Sequence, residues 1–151
     1  MAPDRSAIAP TALERPIGLN AVMSDTDVLT TVDQLFAAIE AGDAAAVEAL
    51  YADDVAVWHS VTRRTLDKER SLAILRWIMA PGVSRSYEIQ ERLVEGDRVA
   101  QRHVLTVTVG AEVLDLPVAI FITATGGKIT AIEEYVDQAG TDRLIELIPP
   151  G

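Results

Sequence analysis

The chain has 151 residues, no cysteine, two histidines, 49% hydrophobic side chains and a formal net charge of −10. That is enough apolar material for one buried core, and it leaves no disulfide and no thiolate metal site. The acidic balance repels phosphate backbones and anionic membranes, which argues against nucleic acid and membrane partners. No apolar run reaches spanning length, and the absence of cysteine accords with a reducing cytoplasm. There is no glycine-rich phosphate loop and no His-Glu-x-x-His spacing. The chain is therefore expected to work without a cofactor or a metal.

Residues 1–22, punctuated by Pro3, Pro10 and Pro16, have no helical or strand period. They read as a disordered leader, with Met23 an alternative start and 23–151 a single domain. Ser24 and Asp25 are candidate caps for a first helix. Val28, Val32, Leu35, Phe36 and Ile39 follow at helical spacing. Gly42 ends that helix, and Asp43 caps a second that runs to about Tyr51. Val55–Ser60 reads as a short strand holding Trp58 and His59. Asp67 caps a third helix through Met79, which Pro81-Gly82 stops.

From Ser84 the period becomes two. Ser84–Glu95, with a bulge before Leu93, Arg98–Val109, Glu112–Thr123 and Lys128–Asp137 read as four strands. Turns at Gly96-Asp97, Gly110-Ala111 and Gly126-Gly127 join them into an antiparallel meander. Pro117 marks a bulge or an unpaired position. A short helix, 142–148, precedes Pro149-Pro150. Helices gathered on one face of an antiparallel sheet make an α+β domain.

The last strand carries the chemical question. Thr130, Ile132, Glu134 and Val136 share its more apolar face, which turns Glu134 inward. A carboxylate in a core needs a partner, a raised pKa or water.

Ala41-Gly42-Asp43, Leu50-Tyr51-Ala52-Asp53-Asp54 and the turn Gly127-Lys128-Ile129 resemble the nuclear transport factor 2-like superfamily. Its SnoaL-like, ketosteroid isomerase-like and limonene epoxide hydrolase-like branches are the nearest in pattern. The resemblance covers about residues 24–140. It implies a cone, with three N-terminal helices packed in a curved four-stranded meander plus a short extra strand. An apolar ligand pocket lies at the open end, and a homodimer forms through the outer sheet face.

Carried over position by position, the isomerase oxyanion-hole groups fall on Leu35 and Ala119, and its base falls on His59. That mechanism is therefore not expected. The hydrolase Arg-x-Asp falls on Arg102 and Val104, its water-holding pair on Val57-Trp58-His59, and its last-strand aspartate on Glu134. The cyclase acid also falls on Glu134. The resemblance thus implies Glu134 as acid/base, Arg102 as its orienting partner and His59 as a second proton carrier. It implies Leu35, Val57, Trp58, Trp77, Val104, Ala119, Phe121, Ile132 and Val136 as a lining for a hydrophobic small molecule.

The second strand of the meander raises a conflict. Along Arg98–Val109, simple alternation buries the face of His103, Leu105 and Val107. The resemblance instead buries the face of Arg102 and assigns His103 to the outer, dimer-facing side. Three functional readings remain open: a cofactor-free acid/base catalyst of hydrolase, isomerase or cyclase type, a non-catalytic ligand-binding dimer, and a structural dimer with a vestigial cavity.

Overall fold

The long alternating stretch from residue 83 follows a first half that is mostly helical, and the architecture divides in the same way. The structure, a computed structural model, describes residues 18–150, and side-chain surroundings for residues 27–150. Three helices open the chain: α1 (Gly18–Ala41), α2 (Ala44–Leu50) and α3 (Lys68–Ile78). Strands β1 (Tyr51–His59) and β2 (Arg64–Leu66) lie between the last two. The meander follows as β3 (Val83–Glu95), β4 (Arg98–Val109), β5 (Glu112–Thr125) and β6 (Lys128–Tyr135), and α4 (Gln138–Leu147) closes the fold.

All six strands form one sheet in the order β2-β1-β6-β5-β4-β3. The expected four-stranded meander with a short extra strand is thus corrected to six strands. The meander is there, but β1 is a full strand that runs parallel to β6. The short extra strand expected at Val55–Ser60 is this β1, and β2 is a further three-residue strand, paired antiparallel with β1, that was not expected. The bulge expected in β3 lies between Ile89 and Glu91. Pro117 pairs with Val104 on β4, but it lies past Ala119, where the pairing with β6 ends. A missing N–H donor is tolerated on that open side.

Side chains explain the helix ends. The Asp43 carboxylate accepts from Ala46 N at 3.0 Å, and Asp67 accepts from Arg70 N at 2.9 Å, each satisfying a donor of the first turn. Ser24 and Asp25, by contrast, are not caps: α1 begins at Gly18 and runs through them. Residues 18–22, expected in the leader, are therefore helical, and the remainder of that leader lies outside the described residues. Gly42 takes a left-handed φ of 72°, the conformation that ends a helix at little cost for glycine. Beside it, the Arg85 guanidinium donates to Ile39 O at 2.9 Å and to Ile78 O at 2.7 Å. One cation thus meets the negative ends of both α1 and α3 and fixes them to β3.

The core forms between α1 and the inner face of the sheet. Val28, Val32, Leu35, Phe36 and Ile39 are all buried, as their spacing predicts. They meet the inward residues of the strands, among them Val99, Val107, Ile122 and Ile129, which are fully buried. Among the described residues, no helix is long and apolar enough to cross a membrane.

Candidate active site

The inner face does not close over its whole length. Toward the end where β1 and β6 finish, the sheet, α1, α3 and α4 leave a cavity of about 470 Å³. Its wall is mostly aliphatic and aromatic, with Leu35, Phe36, Trp77, Leu105, Val118 and Ile132 contributing. Ile74 of α3 and Ile145 of α4 also line it and are 40% and 52% exposed, which places them at the mouth. The Trp77 indole donates to Ile148 O at 3.1 Å, tying the end of α4 to α3 across the cavity wall.

Polar side chains break this apolar wall: Thr62, Arg64, Ser71 and Thr141, and the acid, imidazole and phenol groups of Glu134, His59, His103, Tyr51 and Tyr87. Glu134 and His59 stand opposite one another in the parallel β1–β6 register. The His59 Nδ1 lies 3.5 Å from Glu134 Oε1, with the two side chains 21% and 31% exposed. Backbone geometry sets this approach. Ser60 N donates to Glu134 O at 2.9 Å, and Ser60 Oγ both donates to Val136 O and accepts from Val136 N at 3.0 Å. The partner that an inward carboxylate requires is therefore His59.

Tyr51, Tyr87 and His103 surround this pair. Burial pushes the Tyr51 hydroxyl up to about 12; a hydrogen bond with Ser71 opposes the shift, and the Glu134 charge adds to it. Burial likewise raises Tyr87, with Glu134 and Glu40 contributing and Arg85 opposing. Both tyrosines therefore stand as neutral O–H groups. His103 is 2% exposed and packs edge-on against Phe36 and Tyr87, at ring-centroid distances of 5.3 and 5.1 Å. Burial lowers its pKa, the Glu134 carboxylate raises it, and Arg92 lowers it further.

The structure brings together Glu134 and His59, with Leu35, Val57, Trp77, Ile132 and Val136 in the wall. It does not bring Arg102 to them. Arg102 lies on the outer face, where its Nε donates to Glu91 Oε2 at 2.9 Å in an exposed ion pair. The residue of β4 in line with Glu134 is Gln101, through Ile120 of β5. The resemblance set β4 and β5 one residue out of phase, and a slip of one residue turns every side chain to the opposite face.

The same error explains Val104, Ala119 and Phe121, which face outward; Trp58 also faces outward, between inward Val57 and His59. His103, expected outside, is inside. Plain alternation along β4 would have found it, since Gln101 and His103 are buried in step with Val99, Leu105 and Val107. Tyr51 and Tyr87 were the other site residues missed. Tyr51, expected at the end of the second helix, instead opens β1, and Tyr87 lies on β3. Among the described residues, no group of three or more histidines and acids is placed to hold a metal ion.

The SnoaL-like domain family matches residues 32–132. The chain belongs to that family. Solved structures agree on the fold. A limonene epoxide hydrolase-like epoxide hydrolase from Mycobacterium tuberculosis is 20% identical, covering 83% of this chain and 98% of its own at a TM-score of 0.66. PrhC from Penicillium brasilianum is 15% identical, covering 82% of this chain and 88% of its own at 0.72. A nuclear transport factor 2-like protein from Burkholderia xenovorans is 27% identical, covering 80% and 97% at 0.64. No curated protein matches the chain in sequence. This SnoaL-like domain thus has the α+β nuclear transport factor 2-like fold, with four helices and a six-stranded sheet among the described residues.

Proposed function

We propose that this SnoaL-like protein is a cofactor-free acid/base catalyst acting on a hydrophobic small molecule. The supporting observation is the Glu134–His59 pair, 3.5 Å apart, opening on a largely apolar cavity of about 470 Å³. A cavity of that size holds a ring system of drug-like dimensions. A carboxylate against an imidazole can take a proton from a bound molecule and return it at a neighbouring atom. In this reading Glu134 is the acid/base, and His59 orients it and carries the proton. Tyr51, Tyr87 and His103 donate hydrogen bonds to a substrate oxygen. Arg102 has no part in it, because it lies on the far side of the sheet from Glu134.

The test is turnover on two panels in deuterated buffer, bicyclic enones and cyclic terpene epoxides, followed by mass spectrometry. Deuterium uptake or diol formation is expected with the wild type. Glu134→Gln should lower it about 10²–10⁴-fold, the usual contribution of a positioned acid/base. Retained turnover in Glu134→Gln would remove the assigned base. Compounds of the panels that bind without reacting would favour the ligand-binding module instead.

We also propose that a second copy of the chain covers the outer sheet face. Trp58 and Phe121 flank Tyr135 there, at centroid distances of 5.2 and 6.1 Å. Tyr135 is 44% exposed and Leu93, on the same face, 65%. Sedimentation at micromolar concentration decides the point, and a monomer would remove the proposal.

A further inference from the structure

His103 is held by a chain of side chains that runs out of the cavity to α1. Gln101 Nε2 lies 2.8 Å from His103 Nδ1. Arg92 Nε lies 2.5 Å from Gln101 Oε1, and Arg92 Nη1 meets Asp33 Oδ1 at 2.5 Å. Gln101 and His103 are 3% and 2% exposed, so water does not supply alternative partners freely.

Donor and acceptor roles in this chain follow from chemistry, not from the position of any hydrogen. A guanidinium only donates. The Gln101 atom facing Arg92 must therefore be the carbonyl oxygen, and the amide NH₂ must face His103. An NH₂ group needs an acceptor, so His103 Nδ1 must carry no proton. The imidazole proton then sits on Nε2, which has no protein partner among the described residues in a side chain that lines the cavity.

We propose that Asp33, Arg92 and Gln101 form a clamp that fixes His103 as the neutral Nε2–H imidazole, a permanent hydrogen-bond donor to a substrate oxygen that gains negative charge. The inference rests on the acid/base reading above and adds a substrate class to it: molecules bearing a carbonyl oxygen next to the carbon that loses its proton. His103 is then not the base. Protonating Nδ1 would set an N–H against the Gln101 NH₂. Turning the amide to relieve that would set the NH₂ against Arg92.

The surroundings agree. From β3, Arg92 opposes a cation at His103 and Tyr87 packs as a neutral ring. From α1, Phe36 packs against the ring and Asp33 balances Arg92. From β6, Glu134 alone favours the protonated form. Arg92 carries a further mark of a special role. Its Nη2 is buried with no partner, an arrangement that costs stability wherever it occurs.

The experiment is nitrogen NMR of the two histidine rings in the full chain, which reads tautomer and charge directly and needs no substrate. In the wild type, His103 should show a protonated Nε2 and an unprotonated Nδ1 at pH 7. It should remain mostly neutral at pH 6.5, where an ordinary imidazole is half protonated. In Gln101→Glu the new carboxylate accepts from Arg92 and from a proton on Nδ1, so Nδ1 should become protonated and the titration should move to higher pH. Arg92→Lys keeps a donor to Gln101 and should keep the Nε2–H form. Arg92→Met should release the amide and give a mixture of tautomers.

An Nδ1–H or doubly protonated His103 in the wild type would overturn the clamp. So would a Gln101→Glu spectrum unchanged from wild type. This outcome separates from that of the acid/base reading. Loss of the clamp with Glu134-dependent turnover intact would leave the catalyst standing. The expected tautomer with no turnover on either panel would leave the clamp and remove the catalyst. Deuterium uptake by enones that falls at least tenfold in His103→Phe, and recovers in part in His103→Gln, would fix the donor role. Uptake unchanged in His103→Phe would overturn it.

Discussion

The two faces of the one sheet use the same residue types to opposite ends. On the outer face, Arg102 meets Glu91 at 2.9 Å and Arg98 meets Glu133 at 3.5 Å, with every partner about half exposed. Such pairs contribute about 0–1 kcal/mol, because water screens them and long side chains lose freedom in making them. On the inner face Glu134 stands with one imidazole partner in an apolar wall, and His103 is tied to a guanidinium through an amide. There a charge is less screened, so each polar group has a stronger hold on the hydrogen-bonding roles of its neighbours. A carboxylate is a solvated surface group or a chemical one according to which way its strand turns it.

Three changes bear on that contrast. The largest effect should come from the packed part of the inner face. Ile122→Ala, at a fully buried position, should cost about 2–5 kcal/mol in denaturant unfolding. A loss below about 1 kcal/mol would mean that this half of the inner face is as loosely filled as the cavity half.

Alkaline titration should come second. Tyr51 and Tyr87 have folded pKa values raised above the unfolded value of 10, to about 12 for Tyr51. A raised value means that the unfolded chain gives up the proton first. The stability tied to these hydroxyls is therefore complete below pH 10 and is lost as pH climbs toward 12. Tyrosinate absorbance should rise together with unfolding in that window. Ionisation of all three tyrosines in a chain that stays folded would show that the cavity is wetter than its walls imply.

The smallest effect on folding should be on the outer face. Phe121→Asp should shift unfolding by no more than about 0.5 kcal/mol in the monomer while dispersing the proposed dimer in sedimentation. A large loss of monomer stability would show that this aromatic cluster is part of the core.

Most of the fold was legible because it rests on local signals. The spacing of Val28, Val32 and Leu35, the caps Asp43 and Asp67, and the glycine turns of the meander each act within a few residues. β2 was not legible, since three residues carry no period. Nor was the pairing of β1 with β6, which joins segments far apart in the chain. In the site, Glu134 was legible from alternation within one strand. Arg102 was misplaced where a distant resemblance was preferred over the alternation of β4 itself, which had already turned Gln101 and His103 inward.

The pairing of β1 with β6 has a consequence for how the protein comes into being. Ser60 and Val136 are 76 residues apart in sequence, and the contact between them sets His59 against Glu134. Closing so long a loop is entropically costly and slow compared with forming the β3–β5 hairpins. During synthesis the first three helices and most of the meander can leave the ribosome and begin to fold while His59 still has no partner. The Glu134–His59 contact is therefore expected among the last features to form, and a chain truncated anywhere before β6 would keep much of its hydrophobic pattern but lack that contact.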